Sequence, residues 1–102
     1  MNIKDKLYGS SLYVSLCGEL DESSAIQTRN KMDYLIDTMA FDKVIFDLSE
    51  LDFMDSTGIG VMIGRYKKLK ARSIPCYITN PSAQAEKIFI MTGLYQIMPR
   101  ID

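Results

Sequence analysis

Two hydrophobic periodicities alternate along this chain, and that alternation restricts its fold more than any other feature. Leu12, Val14 and Leu16 recur at every second residue, with Tyr13, Ser15 and Cys17 between them, which is the spacing of a half-buried strand. Ile3–Tyr8 forms an earlier extended segment, and Gly9-Ser10-Ser11 offers the turn chemistry of a hairpin. Gly18 is expected to end the apolar run. Ala25, Met32, Leu35, Ile36 and Met39 then recur at helical spacing, after a capping-box pattern formed by Ser24 and Gln27. Val44–Leu48 is predicted as a buried strand, Ser56–Ala71 as a helix and Ile74–Thr79 as a strand. Asn80-Pro81 is expected to open a third helix that ends near Thr92, with Gly93 in the left-handed position beyond it. Gln96–Ile101 is predicted as a last short strand. Strands separated by helices run parallel, so the expected fold is α/β: one domain over residues 1–102, a mixed and mostly parallel sheet with one antiparallel edge pair, and helices packed against it. Its predicted core contains Leu12, Val14, Leu16, Val44, Ile45, Phe46, Leu69, Ile78 and Phe89.

Composition excludes several function classes. Twelve basic against thirteen acidic residues leave a net charge of −1, the wrong balance for direct nucleic-acid binding. The N-terminal residues Met1–Lys6 carry charge of both signs and lead into no apolar stretch, so no secretory signal and no membrane segment are expected, and the chain is placed in the cytoplasm. Cys17 and Cys76 are flanked by apolar residues and read as small hydrophobes inside strands. There is no histidine, which removes the commonest general base and metal ligand. No catalytic residue, cofactor or metal is expected, and the chain is not read as an enzyme.

The informative segment is Phe53-Met54-Asp55-Ser56-Thr57-Gly58-Ile59-Gly60-Val61-Met62-Ile63-Gly64. Glycine inside a helix costs about 0.5–1 kcal/mol against alanine, so three so close together need an offsetting reason. Gly60 and Gly64, one turn apart, let that face approach a neighbour closely, and Gly58 in the first turn leaves backbone amides uncovered. Asp55, Ser56 and Thr57 are all helix-capping types at the junction of loop and helix. Ser56 can be a plain cap. It can equally be an exposed hydroxyl at a helix N-terminus, where amides and the macrodipole favour an anion.

The run Phe53–Lys70, FMDSTGIGVMIGRYKKLK, resembles the signature of STAS-domain anti-sigma factor antagonists, with the greatest likeness to the sporulation branch. Gly18-Glu19-Leu20-Asp21 and Met91-Thr92-Gly93-Leu94 agree with that family in order and spacing, so the likeness covers nearly the whole chain. Ile90 departs from it, standing where a charged residue is common. The resemblance implies partner switching in transcription regulation. Ser56 would be phosphorylated by an anti-sigma factor that is itself a serine/threonine kinase, with Thr57 a secondary acceptor. The unphosphorylated form would bind that kinase and release the sigma factor, and a serine phosphatase would restore it. Strand ends and following helix starts share one edge of an α/β sheet, which puts Asp21 beside the start of the Ser56 helix. The expected partner surface is therefore Asp21 with Asp55, Thr57, Gly58, Ile59 and Gly60, Asp21 pairing a basic residue of the kinase. An alternative within the same fold is a non-switching scaffold or subunit of a stress-signalling or lipid-transport assembly.

Other chemistries fit less well. Asp-Ser-Thr-Gly is not the Gly-x-Ser-x-Gly elbow of a serine hydrolase, and no P-loop pattern is present, though the glycine-rich helix start leaves weak nucleotide binding open. Asp21, Asp52 and Asp55 lack the periodic spacing of cation ligands and read as caps and loop charges. Arg65, Lys67, Lys68, Lys70 and Arg72 could form an anion-binding face, but read better as a solvated helix end complementing the dipole. The methionines are mostly core filler, with Met54 and Met62 candidates for exposure beside the switch.

Overall fold

The first two strands pair because a left-handed Gly9, at φ 59°, closes a tight turn between them. In the computed structural model, which describes residues Met1–Asp102, β1 (Asn2–Tyr8) runs antiparallel to β2 (Ser11–Leu20), in register from Asn2 opposite Cys17 to Tyr8 opposite Ser11. Helix α1 (Ala25–Thr38) crosses over to β3 (Lys43–Asp47), parallel to β2 from Ser11 opposite Lys43 to Ser15 opposite Asp47. A short β4 (Leu51–Met54) then lies parallel to the far end of β2. Helix α2 (Ser56–Ala71) leads to β5 (Cys76–Thr79), which pairs with the outer side of β3. Helix α3 (Ala83–Thr92) and a single 3₁₀ turn, Leu94–Gln96, complete the fold. The sheet order is β1-β2-β3-β5 with β4 branching from β2, a five-stranded mixed sheet with one antiparallel edge.

Alternation puts Leu12, Val14 and Leu16 on the inner face with Val44, Phe46 and Ile78, against Met32, Leu35 and Ile36 of α1, Met62 and Leu69 of α2 and Phe89 of α3. Phe46 and Phe89 are almost wholly shielded, each contributing about 1.5–3 kcal/mol of transfer free energy. Every predicted core residue is buried, Ile45 on the opposite face of the sheet from this cluster. No helix is long and apolar enough to cross a membrane.

Five local expectations are corrected. Gly18 does not end β2: at φ 110° it forms a bulge where the register shifts, its N–H donates to the Glu50 carbonyl at 2.9 Å, and the strand continues to Leu20. β4 went unseen because Asp52 and Phe53 are both exposed between buried Leu51 and Met54, a pattern with neither period. The capping box at α1 does not form. The Ser24 hydroxyl instead donates to the Glu19 carbonyl at 2.7 Å and accepts from the Asp21 N–H at 3.0 Å. α3 starts later than Asn80-Pro81. Asn80 is left-handed at φ 49°, and Ser82 is the cap, accepting from the Ala85 N–H at 3.1 Å. The last strand, Gln96–Ile101, is replaced by the 3₁₀ turn and one bridge from Arg100 to Ile78. Gly93 is left-handed as expected, and behind it the Gln96, Ile97 and Met98 amides fold back on Gly93 and Leu94, so only the final residues reach β5.

Candidate functional site

One carboxylate organises the region around Ser56. Asp55 is the N-cap of α2, and its Oδ1 accepts from the Gly58 N–H at 2.9 Å. Its Oδ2 accepts from the Glu22 N–H at 3.2 Å, and its own N–H donates to the Leu20 carbonyl at 3.3 Å. Asp55 thus ties the start of α2 to the end of β2 and to the turn that follows, which brings Asp21 to the same edge of the sheet. In that turn the Asp21 Oδ1 accepts from the Ser23 hydroxyl at 2.7 Å, the Ser23 N–H at 3.0 Å and the Ser24 N–H at 3.2 Å. These bonds, the Ser23 hydroxyl foremost, hold the Asp21 carboxyl below its ordinary pKa, so it stays ionised at neutral pH.

Because Asp55 does the capping, Ser56 falls on the first helical position rather than the cap, and both Ser56 and Thr57 are exposed. Gly60 is exposed, Ile59 half-buried, and Asp55 and Asp21 half-buried. Gly58 differs from the rest of the expected surface: it is buried, and a Cβ there would stand 2.2 Å from the Leu20 carbonyl oxygen and 2.7 Å from Met54 Cγ. Its amide is not uncovered, since Asp55 takes it. Gly58 therefore acts by seating α2 on β2 and β4, and the patch presented outward is Asp21, Asp55, Ser56, Thr57, Ile59 and Gly60. Gly60 and Gly64 make no close contact within the chain, since an added Cβ at either meets nothing within 4 Å. Met54 and Met62 are buried, so neither flanks the site at the surface.

Of the basic residues expected as a solvated helix end, Lys67 and Lys70 are exposed, whereas Arg65, Lys68 and the C-cap Arg72 are paired with acids of α1. Arg65 Nε lies 3.0 Å from Asp33 Oδ1, and Lys68 Nζ reaches Asp33 at 3.4 Å and Asp37 at 3.0 Å. Arg72 Nη2 stands 2.6 Å from Asp37 Oδ1, and Nη1 donates to the Ile36 carbonyl at 2.9 Å. Asp37 is held below its ordinary pKa, first by Lys68 and then by Arg72. This row clamps the C-terminal half of α2 to the C-terminal half of α1, away from the Ser56 end. The sequence signal was present: Asp33 and Asp37 are one turn apart, and Arg65, Lys68 and Arg72 recur at helical spacing.

Comparison with known proteins agrees with this architecture. The STAS domain matches residues 2–102. An anti-sigma F factor antagonist of Paenibacillus polymyxa is 34% identical over 91 residues, covering 89% of this chain and 78% of its own length. An anti-sigma-B factor antagonist of Bacillus subtilis strain 168 is 31% identical over 98 residues, covering 96% of this chain and 88% of its own. The anti-sigma factor antagonist SpoIIAA, solved in its unphosphorylated form, is 29% identical with a TM-score of 0.80, covering 99% of this chain and 89% of that one. SpoIIAA in its phosphorylated form, a Bacillus cell fate determinant, is also 29% identical with a TM-score of 0.73, covering 99% of this chain and 92% of that one.

Proposed function

The chain belongs to the STAS domain family, and on that premise we propose that it is an anti-sigma factor antagonist switched by phosphorylation of Ser56. The observation that carries this is the division of labour at the start of α2: Asp55 takes the capping bond, so the adjacent Ser56 is exposed with its hydroxyl available to a kinase. The chain is then the substrate of an anti-sigma factor kinase and of a serine phosphatase, not itself a catalyst. Asp21, Asp55, Thr57, Ile59 and Gly60 surround the acceptor as the docking patch, and Gly58 holds α2 in place beneath it.

The switch works by charge rather than refolding. An anion at a helix N-terminus is favoured by about 0.3–1 kcal/mol, so a phosphate on Ser56 leaves the fold intact. It adds about −1.5 to −2 charges to a patch that already contains Asp21 and Asp55. One unit charge about 4 Å from a partner carboxylate, at an effective dielectric near 20, costs about 4 kcal/mol, roughly a thousandfold in affinity. Ser56→Asp should therefore fold normally and bind the kinase poorly, while Ser56→Ala should bind and resist release by ATP. The test is incubation with a candidate anti-sigma kinase and ATP, followed by intact mass, site mapping and titration. Phosphate incorporated at one per chain in Ser56→Ala, or equal affinity of modified and unmodified protein, would rule the switch out.

A further inference from the structure

Beside the switch, between the first turns of α1 and α2, lies an open cleft of about 390 Å³ whose wall includes Arg29 on one helix and Thr57, Gly60 and Arg65 on the other. We infer that this cleft binds a small oxyanion of the phosphate class, held between Arg29 and Arg65. The inference goes beyond the phospho-switch and does not require it, because Ser56 is not part of the cleft wall.

Three observations point to an anionic occupant. The first is Arg65, whose side chain is only 10% exposed although it borders the cleft. Its Nε faces Asp33, but its Nη1 is buried without a hydrogen-bond partner, and a buried charged donor left unpaired is costly. The second is the local charge. Burial lowers the Arg65 pKa, Asp33 opposes that, and the like charge of Arg29, which lines the same cleft, adds to it. Asp33 does not neutralise both, since it is also shared with Lys68. The third is where the cleft lies: apart from Arg65, in the third turn of α2, its lining residues fall in the first two turns of their helices, toward the ends where the backbone dipole is positive.

Guanidinium forks match the paired oxygens of a phosphate, and a dianion between two of them relieves their mutual repulsion. The Thr57 hydroxyl supplies a further donor. Gly60 keeps the space open, since an added Cβ there meets nothing within 4 Å. The cleft is also free of the Asp55 carboxylate, which is occupied by the Glu22 and Gly58 amides.

Inorganic phosphate is the probe, titrated into the whole ¹⁵N-labelled chain against chloride at matched ionic strength. Saturable shifts are expected at the Thr57–Val61 amides with phosphate and not with chloride. Arg29→Gln should weaken binding about tenfold, close to the loss of one charge-assisted contact, with Arg29→Lys in between. Gly60→Leu should block the cleft while the fold, read from thermal melting, is kept. Lys67→Gln, an exposed position of α2 outside the cleft, should bind as wild type. Shifts that never saturate, shifts reproduced by chloride, or equal affinity in Arg29→Gln and Gly60→Leu would overturn the assignment.

Discussion

Helices α2 and α3 begin with the same kinds of residue and use them in opposite ways. At α3 the serine is the cap: the Ser82 hydroxyl donates to the Leu51 carbonyl at 2.6 Å and accepts from the Ala85 N–H at 3.1 Å, so both functions of that oxygen are consumed. At α2 an aspartate stands one position earlier and takes the amide, which leaves Ser56 exposed on the first turn. A shift of one residue separates a serine that holds a helix in place from one whose side chain is left exposed. The difference also locates rigidity. α2 is held by Asp55 and by the close seat of Gly58 on Leu20, so a charge can be added at Ser56 without loosening what supports it.

That contrast can be broken in graded steps. The largest effect is expected at Gly58. An alanine Cβ would press on the Leu20 carbonyl, a backbone atom that cannot swing aside, so Gly58→Ala should lose about 1–3 kcal/mol. For a domain of this size, each 1 kcal/mol lost lowers the melting temperature by about 4–8 °C. An unchanged midpoint would show that α2 is not seated as described. Next comes the pair of serines. Ser82→Ala removes a cap and leaves the Leu51 carbonyl without its donor, a loss of about 0.5–2 kcal/mol in denaturant unfolding, whereas Ser56→Ala should stay within about 0.5 kcal/mol of wild type. Equal losses at the two would erase the distinction between them.

A smaller effect of opposite sign is expected at Gly60, where a side chain meets open space. Gly60→Ala should stabilise by about 0.5–1 kcal/mol, so that Gly58→Ala and Gly60→Ala, two residues apart, move the melting temperature in opposite directions. The smallest effect is the acid response of the Asp21 turn. Its folded pKa is depressed by the Ser23 and Ser24 donors, so this contribution is fully present above the unfolded aspartate value and is lost as pH falls through the lower folded value. The Ser23 and Ser24 amide shifts, followed by NMR through acid, should therefore titrate below the range of an unperturbed aspartate and remain flat near neutral pH. Titration at or above that range would mean that the turn does not hold the carboxylate as described.

Most of the fold was legible because burial leaves a local trace. The period of two in Leu12-Val14-Leu16 and the helical spacing of Met32, Leu35 and Ile36 each report one face turned to the core, and these residues lie there. Where the trace was weak, expectation failed. β4 pairs only with the end of β2 and has exposed Asp52 and Phe53 at its middle, so no period marks it. The tail beyond Gly93 contains Ile97 and Met98 in an apolar run, but their amides return to the preceding turn instead of extending along β5. At the candidate site, the helix start at Ser56 and the neighbouring Asp21 were legible from the sequence, while the inward turn of Gly58 was not.

By itself, the sequence determined the order and type of most elements, the core-facing residues and the glycine-rich segment that opens α2, because these depend on periodicity and residue type within a few neighbours. Only the tertiary structure decided which polar group serves which helix. Asp55 reaches the Glu22 amide and Ser82 reaches the Leu51 carbonyl across more than thirty residues of chain. It alone decided that Gly58 and not Gly60 takes the close contact, and that Arg65 is drawn under α1 beside Asp33. A hydrogen bond or a steric contact depends on distances between atoms to within about an ångström, and those distances exist only after distant strands and helices have packed.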